Sequence, residues 1–359
     1  MTKVVVLGAG KIGITVGRML QDSGDYEVTL ADSDAKALEI RPHGANAHAV
    51  VDVTDTAALG KLLSGQDAVI SALPYFLDIK VAEVARDCGV NYFDPTEDVA
   101  TARHIRKLAE SAKTVFVPQC GLAPGFISIA ARHLVDQFDD PQDVKLRVGA
   151  LPQYPDNALK YNLTWSTDGL INEYCNPCDT IHEGRRREVL PLEGLEHFSL
   201  DGVDYEAFST SGGIGTLCET YDGKVHNLNY KTVRYPGHRD MVKMLADDLN
   251  LCERRDVFKD VIEHGVPVTR QDVVVIFITV RGMRRGLLTQ ESLVRKIYGD
   301  RVEDGWSAIQ KTTAAAICAM VDLHRDGRLP ATGFVRQEDV DFEDFVANRF
   351  GAIYAADGR

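Results

Sequence analysis

The sequence predicts an α/β protein, a doubly wound parallel sheet over residues 1–121 followed by a second α+β domain over residues 122–307. Three observations predict it. Short runs of β-branched residues alternate with helical spacings through the first 120 residues, which is the pattern of βαβ units with helices on both faces of a sheet. A G-x-G-x-x-G string lies between the first such run and the first helical spacing. At Gly121-Leu122-Ala123-Pro124-Gly125 a dense turn cluster ends the alternation, and the rest of the chain is less regular.

Each element has its own reason. Lys3–Leu7 (KVVVL) is a short, continuously apolar, β-branched run, read as a buried strand. Residues 12, 16, 19 and 20 then carry the apolar face of a helix over Ile12–Leu20. Further strands are expected at Glu27–Ala31, Ala47–Val51, Ala68–Ala72, Tyr92–Phe93 and Thr114–Val117, with helices at Ala57–Leu63, Ile79–Cys88 and Ala100–Ser111. Past the turn cluster a helix runs to about Leu134. Leu146–Ala150, Asn227–Val233 and Val273–Val280 read as strands, the last pairing with Leu287–Ile297 through a turn at Gly282–Gly286. Helices are expected at Met241–Leu249 and Ala308–Leu323. The Ala-rich segment 308–325 is expected to pack back on the first domain, leaving 326–359 as a C-terminal tail. The paired strands near 273–297 offer an edge for extension across a two-fold axis, so a homodimer is expected.

Composition limits the partners. Forty Lys+Arg against 53 Asp+Glu give the 359-residue chain a net charge of −13, which argues against nucleic acid or an anionic membrane surface as partner. No apolar stretch approaches the roughly 18–20 residues that span a bilayer. The N-terminal apolar stretch runs straight into Gly8-Ala9-Gly10, unlike an export signal. Seven scattered cysteines read as reduced thiols of a cytoplasmic protein.

The chemistry begins at Gly8-Ala9-Gly10-Lys11-Ile12-Gly13. After a strand and opening a helix, this string marks a dinucleotide-binding (Rossmann) turn. Gly8 makes the tight turn, Gly10 lets the backbone approach a pyrophosphate, and Gly13 lets helix and strand touch, with Lys11 and Ile12 opening the helix. Asp32 closes the second strand, where a carboxylate accepts hydrogen bonds from a ribose diol and repels a 2′-phosphate. Ser33, Asp34 and Ala35 follow with no basic residue among them, so the expected cofactor is NAD. Asp52 and Val53, after the third strand, are placed beside the adenine. Ser71, Ala72, Leu73 and Pro74, after the fourth, are placed along the nicotinamide half, with Tyr75 as a cofactor or substrate contact.

The chain resembles the saccharopine dehydrogenase-like reductases, most closely the lysine 6-dehydrogenases among them. The resemblance is carried by VVVLGAGKIG, VTLAD, ISALPY, CGLAPGF, the AFSTSGG run at 207–213, KTVRYPGH at 231–238 and the KTTAAAI helix at 311–317. It implies NAD-dependent oxidative deamination of the lysine ε-amine to 2-aminoadipate 6-semialdehyde, which cyclises. Such chemistry needs a neutral amine from a group whose free pKa is near 10.4, and then a base that activates water. Asp94 and Glu97, in the F-D-P-T-E-D run that ends the fifth strand, are the candidates. Lysine 6-dehydrogenases tend to have glycines after the matching Asp; Pro95, Thr96 and Glu97 stand there in this chain, a departure that bears on the substrate. The same D-P-T-E-D run is also a good helix start with Thr96 as cap.

A lysine-like substrate also carries an α-carboxylate. Lys231, Arg234 and His238 lie in a strand followed by a turn, with 231 and 234 on opposite faces. Arg234, with its bidentate fork, is the first choice, and His238 is a group able to titrate near neutrality. Thr210 and Ser211, with Gly212-Gly213, precede a helix and offer a carboxylate nest. No metal is expected: Cys175-Asn176-Pro177-Cys178 has no second pair at zinc spacing, and His43 and His48 flank no acidic set. Two other readings stay open, a secondary-amine reductase acting on saccharopine or carboxynorspermidine and a non-catalytic dinucleotide sensor.

Overall fold

In the computed structural model of the chain, residues 1–39, 46–302 and 305–355 are described; His43 falls outside them. Two compact units are present, Met1–Phe126 with Gln310–Arg359, and Ile127–Ile309.

The first unit begins with β1 (Thr2–Leu7), α1 (Lys11–Asp22), β2 (Tyr26–Asp32), α2 (Ala35–Glu39), β3 (Ala47–Val50), α3 (Thr56–Leu63), β4 (Ala68–Ser71), α4 (Tyr75–Cys88), β5 (Asn91–Phe93), α5 (Val99–Ala109) and β6 (Val115–Val117). Val4–Leu7 in β1 and Val69 and Ile70 in β4 are wholly buried, as strands covered on both faces must be. Local chemistry sets the helix ends. Asp55 caps α3 by accepting from the Ala57 and Ala58 amides, and Gly89 closes α4 in the left-handed conformation, at φ 67°. Asp98, not Thr96, caps α5, accepting from the Thr101 amide at 2.7 Å.

The second unit opens on α6 (Phe126–Val135), followed by β7 (Asp140–Pro152), α7 (Thr167–Cys175), β8 (Cys178–His182), β9 (Arg185–Val189), β10 (Glu196–Leu200), β11 (Val203–Ser209), α8 (Leu217–Thr220), β12 (Asn227–Arg234), α9 (His238–Lys243), α10 (Arg255–Gly265), β13 (Asp272–Arg284) and β14 (Leu287–Tyr298). Its mixed sheet has the order β10-β11-β12-β7-β13-β14, with β8 and β9 off this path. The hairpin register pairs Arg284 with Leu287. Its turn is therefore Arg285-Gly286, both at positive φ, the geometry whose twist matches a two-residue hairpin. The helix expected at Met241–Leu249 is α9 running into a π-helical turn at Met244–Asp248. Tyr161, Tyr174, Phe208, Phe258 and Ile262 pack α7 and α10 into one core.

The chain then returns to the first unit with α11 (Ala308–Arg325), β15 (Gly333–Phe334) and α12 (Phe342–Ala347). The residues expected as a tail are built in. β15 adds a parallel edge strand to β6. The buried Tyr354 stacks on Phe126 with centroids 3.9 Å apart and donates to the Thr312 carbonyl at 2.7 Å. The completed parallel sheet has the order β15-β6-β5-β4-β1-β2-β3, the doubly wound arrangement the sequence predicts. Its order reverses between β1 and β4, where ligands of such sheets bind outside the carboxyl ends.

One expectation fails. Cys175 and Cys252 form a disulfide, with Cα atoms 5.4 Å apart, joining the end of α7 to the turn at Leu251–Glu253; the reading of seven reduced thiols is corrected. The partner cysteines lie 77 residues apart, so no local spacing announces the bond. Among the described residues no helix is long and apolar enough to cross a membrane, and no group of three or more His, Cys, Asp and Glu could hold a metal ion.

Candidate functional site

In the first unit the candidate site lies at the switch point. Gly8 has φ 100°, and a Cβ on it would stand 2.7 Å from the Ala72 carbonyl oxygen, while one on Gly13 would stand 1.8 Å from the Gly8 oxygen. The loop after β1, the start of α1 and the loop after β4 are thus pressed together, and only glycine fits at 8 and 13. Gly10 occupies the N-cap of α1 with no side-chain cap, and the first turn holds no acid. That leaves the dipole end of α1 suited to an anion, and the cradle fits a dinucleotide pyrophosphate.

Asp32 ties this loop to the end of β2. Its Oδ2 accepts from the Ala9 amide at 2.6 Å and its Oδ1 from the Asp34 amide at 2.9 Å. Each oxygen retains a lone pair for a ribose hydroxyl. Asp52 is exposed and accepts from the Thr54 amide and hydroxyl, contacts that hold its carboxyl below the usual range. Val53, expected beside an adenine, packs in the core of the unit instead. Tyr75 is half-buried at the first position of α4, edge-on to the exposed Phe76.

Around β4 and β5 sits a buried acidic group. Ser71 donates to Asp78 Oδ1 at 2.6 Å, and Asp78 is 1% exposed. Asp94, at the end of β5, is 0% exposed. Its Oδ1 accepts from the Thr96 and Gln119 amides at 2.7 and 3.2 Å. The Asp94 carboxyl interacts with the Tyr92 hydroxyl, although its Oδ2 makes no well-formed hydrogen bond. Burial pushes Asp94 up to about 6 against the pull of its hydrogen bonds. Burial, and then the Asp94 charge, push Asp78 well above the usual carboxylate range. A carboxylate with a pKa near 6 is ionised at neutral pH yet basic enough to take a proton. Asp78 is missed by sequence reasoning because an acid in the first turn of a helix is ordinary; its burial needs the closed sheet. Glu97 is half-buried nearby with contacts of its own.

The second unit sorts the basic candidates by face. Lys231 donates to Glu196 Oε2 at 2.8 Å and to the Gly194 carbonyl at 2.5 Å, and Glu196 also takes Arg147. Lys231 is therefore committed to a structural cluster, not offered to a substrate carboxylate. Arg234 lies on the other face of β12, 2% exposed, with its guanidinium 4.7 Å above the Tyr161 ring. A relay orients it. Arg234 Nε donates to the Tyr174 hydroxyl at 3.2 Å, that hydroxyl meets His238 Nε2 at 2.9 Å, and His238 Nδ1 meets the Leu159 carbonyl at 2.8 Å. A neutral imidazole protonated on Nδ1 satisfies all three. Burial, and then the Arg234 charge, push His238 down to about 3, which corrects the expectation of a group titrating near neutrality. Glu206 holds the turn in place, accepting from the Gly237 and Arg239 amides at 2.8 and 2.6 Å.

Thr210 and Ser211 do not form the expected nest. Their hydroxyls pair with Thr232 at 2.7 Å and the Pro177 carbonyl at 2.9 Å. Gly213 serves close packing, since a Cβ there would stand 2.3 Å from Tyr230 Cζ. The next helix, α8, starts only at Leu217.

Comparison with known proteins finds two family matches along the chain. Residues 4–117 match the saccharopine dehydrogenase NADP binding domain, and residues 121–351 match the saccharopine dehydrogenase C-terminal domain. The chain belongs to the saccharopine dehydrogenase family. It is 26% identical over 258 residues to the saccharopine dehydrogenase [NADP(+), L-glutamate-forming] of Saccharomyces cerevisiae, covering 68% of this chain and 57% of that protein. It is 23% identical over 323 residues to the mitochondrial alpha-aminoadipic semialdehyde synthase of Bos taurus, covering 84% of this chain and 34% of that protein. The chain thus spans about a third or less of the mammalian synthases it matches. Among solved structures, apo saccharopine dehydrogenase (L-Glu forming) from Saccharomyces cerevisiae shares the fold at TM-score 0.80 and 19% identity, with 96% of this chain and 95% of that chain covered. A homospermidine synthase from Legionella pneumophila, solved with NAD, gives 0.67 and 12%, with 98% and 89% covered.

Proposed function

We propose that this protein is an NAD-dependent oxidoreductase of the CH–NH2 class that deaminates the ε-carbon of L-lysine. The observation that carries the reading is Asp94, a fully buried carboxylate beside the Tyr92 hydroxyl, pushed up to about 6, at the carboxyl end of β5 in a dinucleotide-binding sheet. Asp94 takes the proton of the lysine ε-ammonium, so that the amine's lone pair can assist loss of hydride from C6. The dinucleotide, when bound, accepts that hydride. Once that proton has passed to solvent, Asp94, ionised again, takes a proton from the water that adds to the iminium and returns it to the carbinolamine nitrogen, so that ammonia leaves and the aldehyde forms. Glu97 is the second candidate for this work. In the second unit, taken by itself, Arg234, oriented by Tyr174 and His238, carries a guanidinium fork that matches a carboxylate.

Asp32 favours NAD over NADP, although the names of several relatives specify NADP(+). A 2′-phosphate at the end of β2 would meet a carboxylate. The sheet ends at β14, and we propose that this edge pairs with its copy in a homodimer, which sedimentation velocity tests. The activity is tested by following NAD⁺ and NADP⁺ reduction and ammonia release with lysine, ornithine, saccharopine and polyamine-derived amines. Lysine with NAD⁺, releasing ammonia, is the expected pair. Turnover confined to saccharopine or another secondary amine sinks the reading in favour of a secondary-amine reductase.

A further inference from the structure

We propose that Gln337, in the C-terminal segment that closes the first unit, is a positioning residue for Asp94. It holds the peptide between Pro118 and Gln119 in one of two orientations, and that orientation keeps an N–H donor on the carboxylate. The inference rests on the reading of Asp94 as the base and names what sets its affinity for the proton.

The chain after β15 runs on beside the end of β6, with the Val335 amide donating to the Phe116 carbonyl at 3.0 Å. This brings the turn at Gln337–Asp339 against the loop after β6. Gln337 is 3% exposed, and its Nε2 donates to the Pro118 carbonyl at 2.9 Å. The carbonyl of Pro118 and the amide of Gln119 belong to one planar trans peptide, so they point in opposite directions. The amide end reaches Asp94 Oδ1 at 3.2 Å. Gln337 and Asp94 therefore grip the two ends of the same peptide unit.

That peptide stands in its costlier orientation. Gln119 has φ 62°, in the left-handed region that side chains other than glycine enter at a cost, and Pro118-Gln119 occupy a turn. Proline followed by a positive φ marks a type II turn, which favours glycine at the second position; a type I turn differs from it by turning this peptide over. Turned over, Gln119 would return to negative φ, and the Pro118 oxygen would replace the N–H beside Asp94. An oxygen there repels a carboxylate but accepts from a protonated carboxyl, so the turned-over state favours the proton. A strained backbone held in place by its surroundings beside a reacting group is where such tuning is found. Other groups face the same carboxyl: Asp78 from α4, Tyr92 from β5 and Cys120 from the loop after β6. The Glu97 and Asp98 charges act in turn on Asp78. None of these is altered by the substitutions below.

The test follows the Asp94 titration in the purified full chain by carbon NMR of the aspartate carboxyl groups, with Asp94→Asn assigning the signal. The pH profile of kcat is measured in parallel. The parent should titrate at about 6. Gln337→Met, which keeps the side-chain length without the donor, should move the titration up to about 7, a roughly tenfold change in proton affinity. Gln337→Asn, with the same amide one methylene shorter, should move it the same way, and serves if the first variant folds poorly. Adding Gln119→Gly to either variant removes the penalty on the left-handed peptide and should bring the titration back toward 6. An unmoved titration in the Gln337 variants, or a shift that Gln119→Gly does not reverse, overturns the proposal and leaves Gln337 a packing residue. A titration that moves while the acidic limb of kcat stays in place upholds the positioning role and removes Asp94 as the base.

Discussion

Replacing Asp94 by Asn tests the buried base from two sides. In the folded chain Asp94 titrates at about 6 against a usual 3.8, because burial disfavours its charge. Between those values the unfolded chain is ionised while the folded chain keeps the proton, so stability falls as pH rises from about 4 to about 6 and stays lowered above. At 1.36 kcal/mol per decade the cost of holding the ionised carboxylate at pH 8 is on the order of 3 kcal/mol. Asparagine keeps an oxygen for the Thr96 and Gln119 amides and carries no charge. Asp94→Asn is therefore expected to be more stable than the parent at pH 8, by up to about 3 kcal/mol, and close to it near pH 4. Urea unfolding at the two pH values measures this. Turnover should fall by about 100-fold or more, the usual size of a general-base contribution. A variant equally destabilised at both pH values, or one that retains full activity, refutes the reasoning.

Asp32→Ser removes an anionic acceptor facing the ribose and should raise the KM for NAD⁺ about 10- to 100-fold, with a smaller change for NADP⁺; equal losses would assign Asp32 to loop support alone. Gly13→Ala forces a Cβ to within 1.8 Å of the Gly8 oxygen and should cost about 1–3 kcal/mol of stability along with dinucleotide affinity, read by thermal melting with and without NAD⁺. His238→Gln should leave the acidic limb of the pH–kcat profile near 6 in place, because His238 titrates at about 3; loss of that limb would move the titrating group from Asp94 to His238. Thiol titration of the denatured, unreduced chain should find the five free cysteines and all seven after reduction; seven before reduction would remove the disulfide.

The doubly wound half of the fold is legible because buried parallel strands are continuously apolar, and KVVVL, AVIS and VFV stand out between polar loops. The second unit hides more. In β7 only the middle is apolar enough to be recognised, since its first half carries charges at Asp140, Asp143 and Lys145, all exposed or partly exposed. β9, with its sequence RRREV, lies almost wholly at the surface and has no apolar run to find. α10 was detectable: Val257, Phe258, Val261 and Ile262 repeat at helical spacing. At the site, glycine loops and strand ends are read from local order. The relay from Arg234 through Tyr174 to His238 is not, because it joins residues 60 and 64 positions apart. Alternation puts Lys231 and Arg234 on opposite faces of one strand, but does not tell which face meets an acid: Glu196, two strands away in β10, takes Lys231.

The most direct test of the central claim is the stoichiometry of lysine oxidation. The purified protein, supplied with L-lysine and NAD⁺, should form one NADH and one ammonia for each lysine consumed, with no requirement for 2-oxoglutarate or glutamate. NADH formation that occurs only with a secondary-amine substrate, or that releases no ammonia, would contradict it.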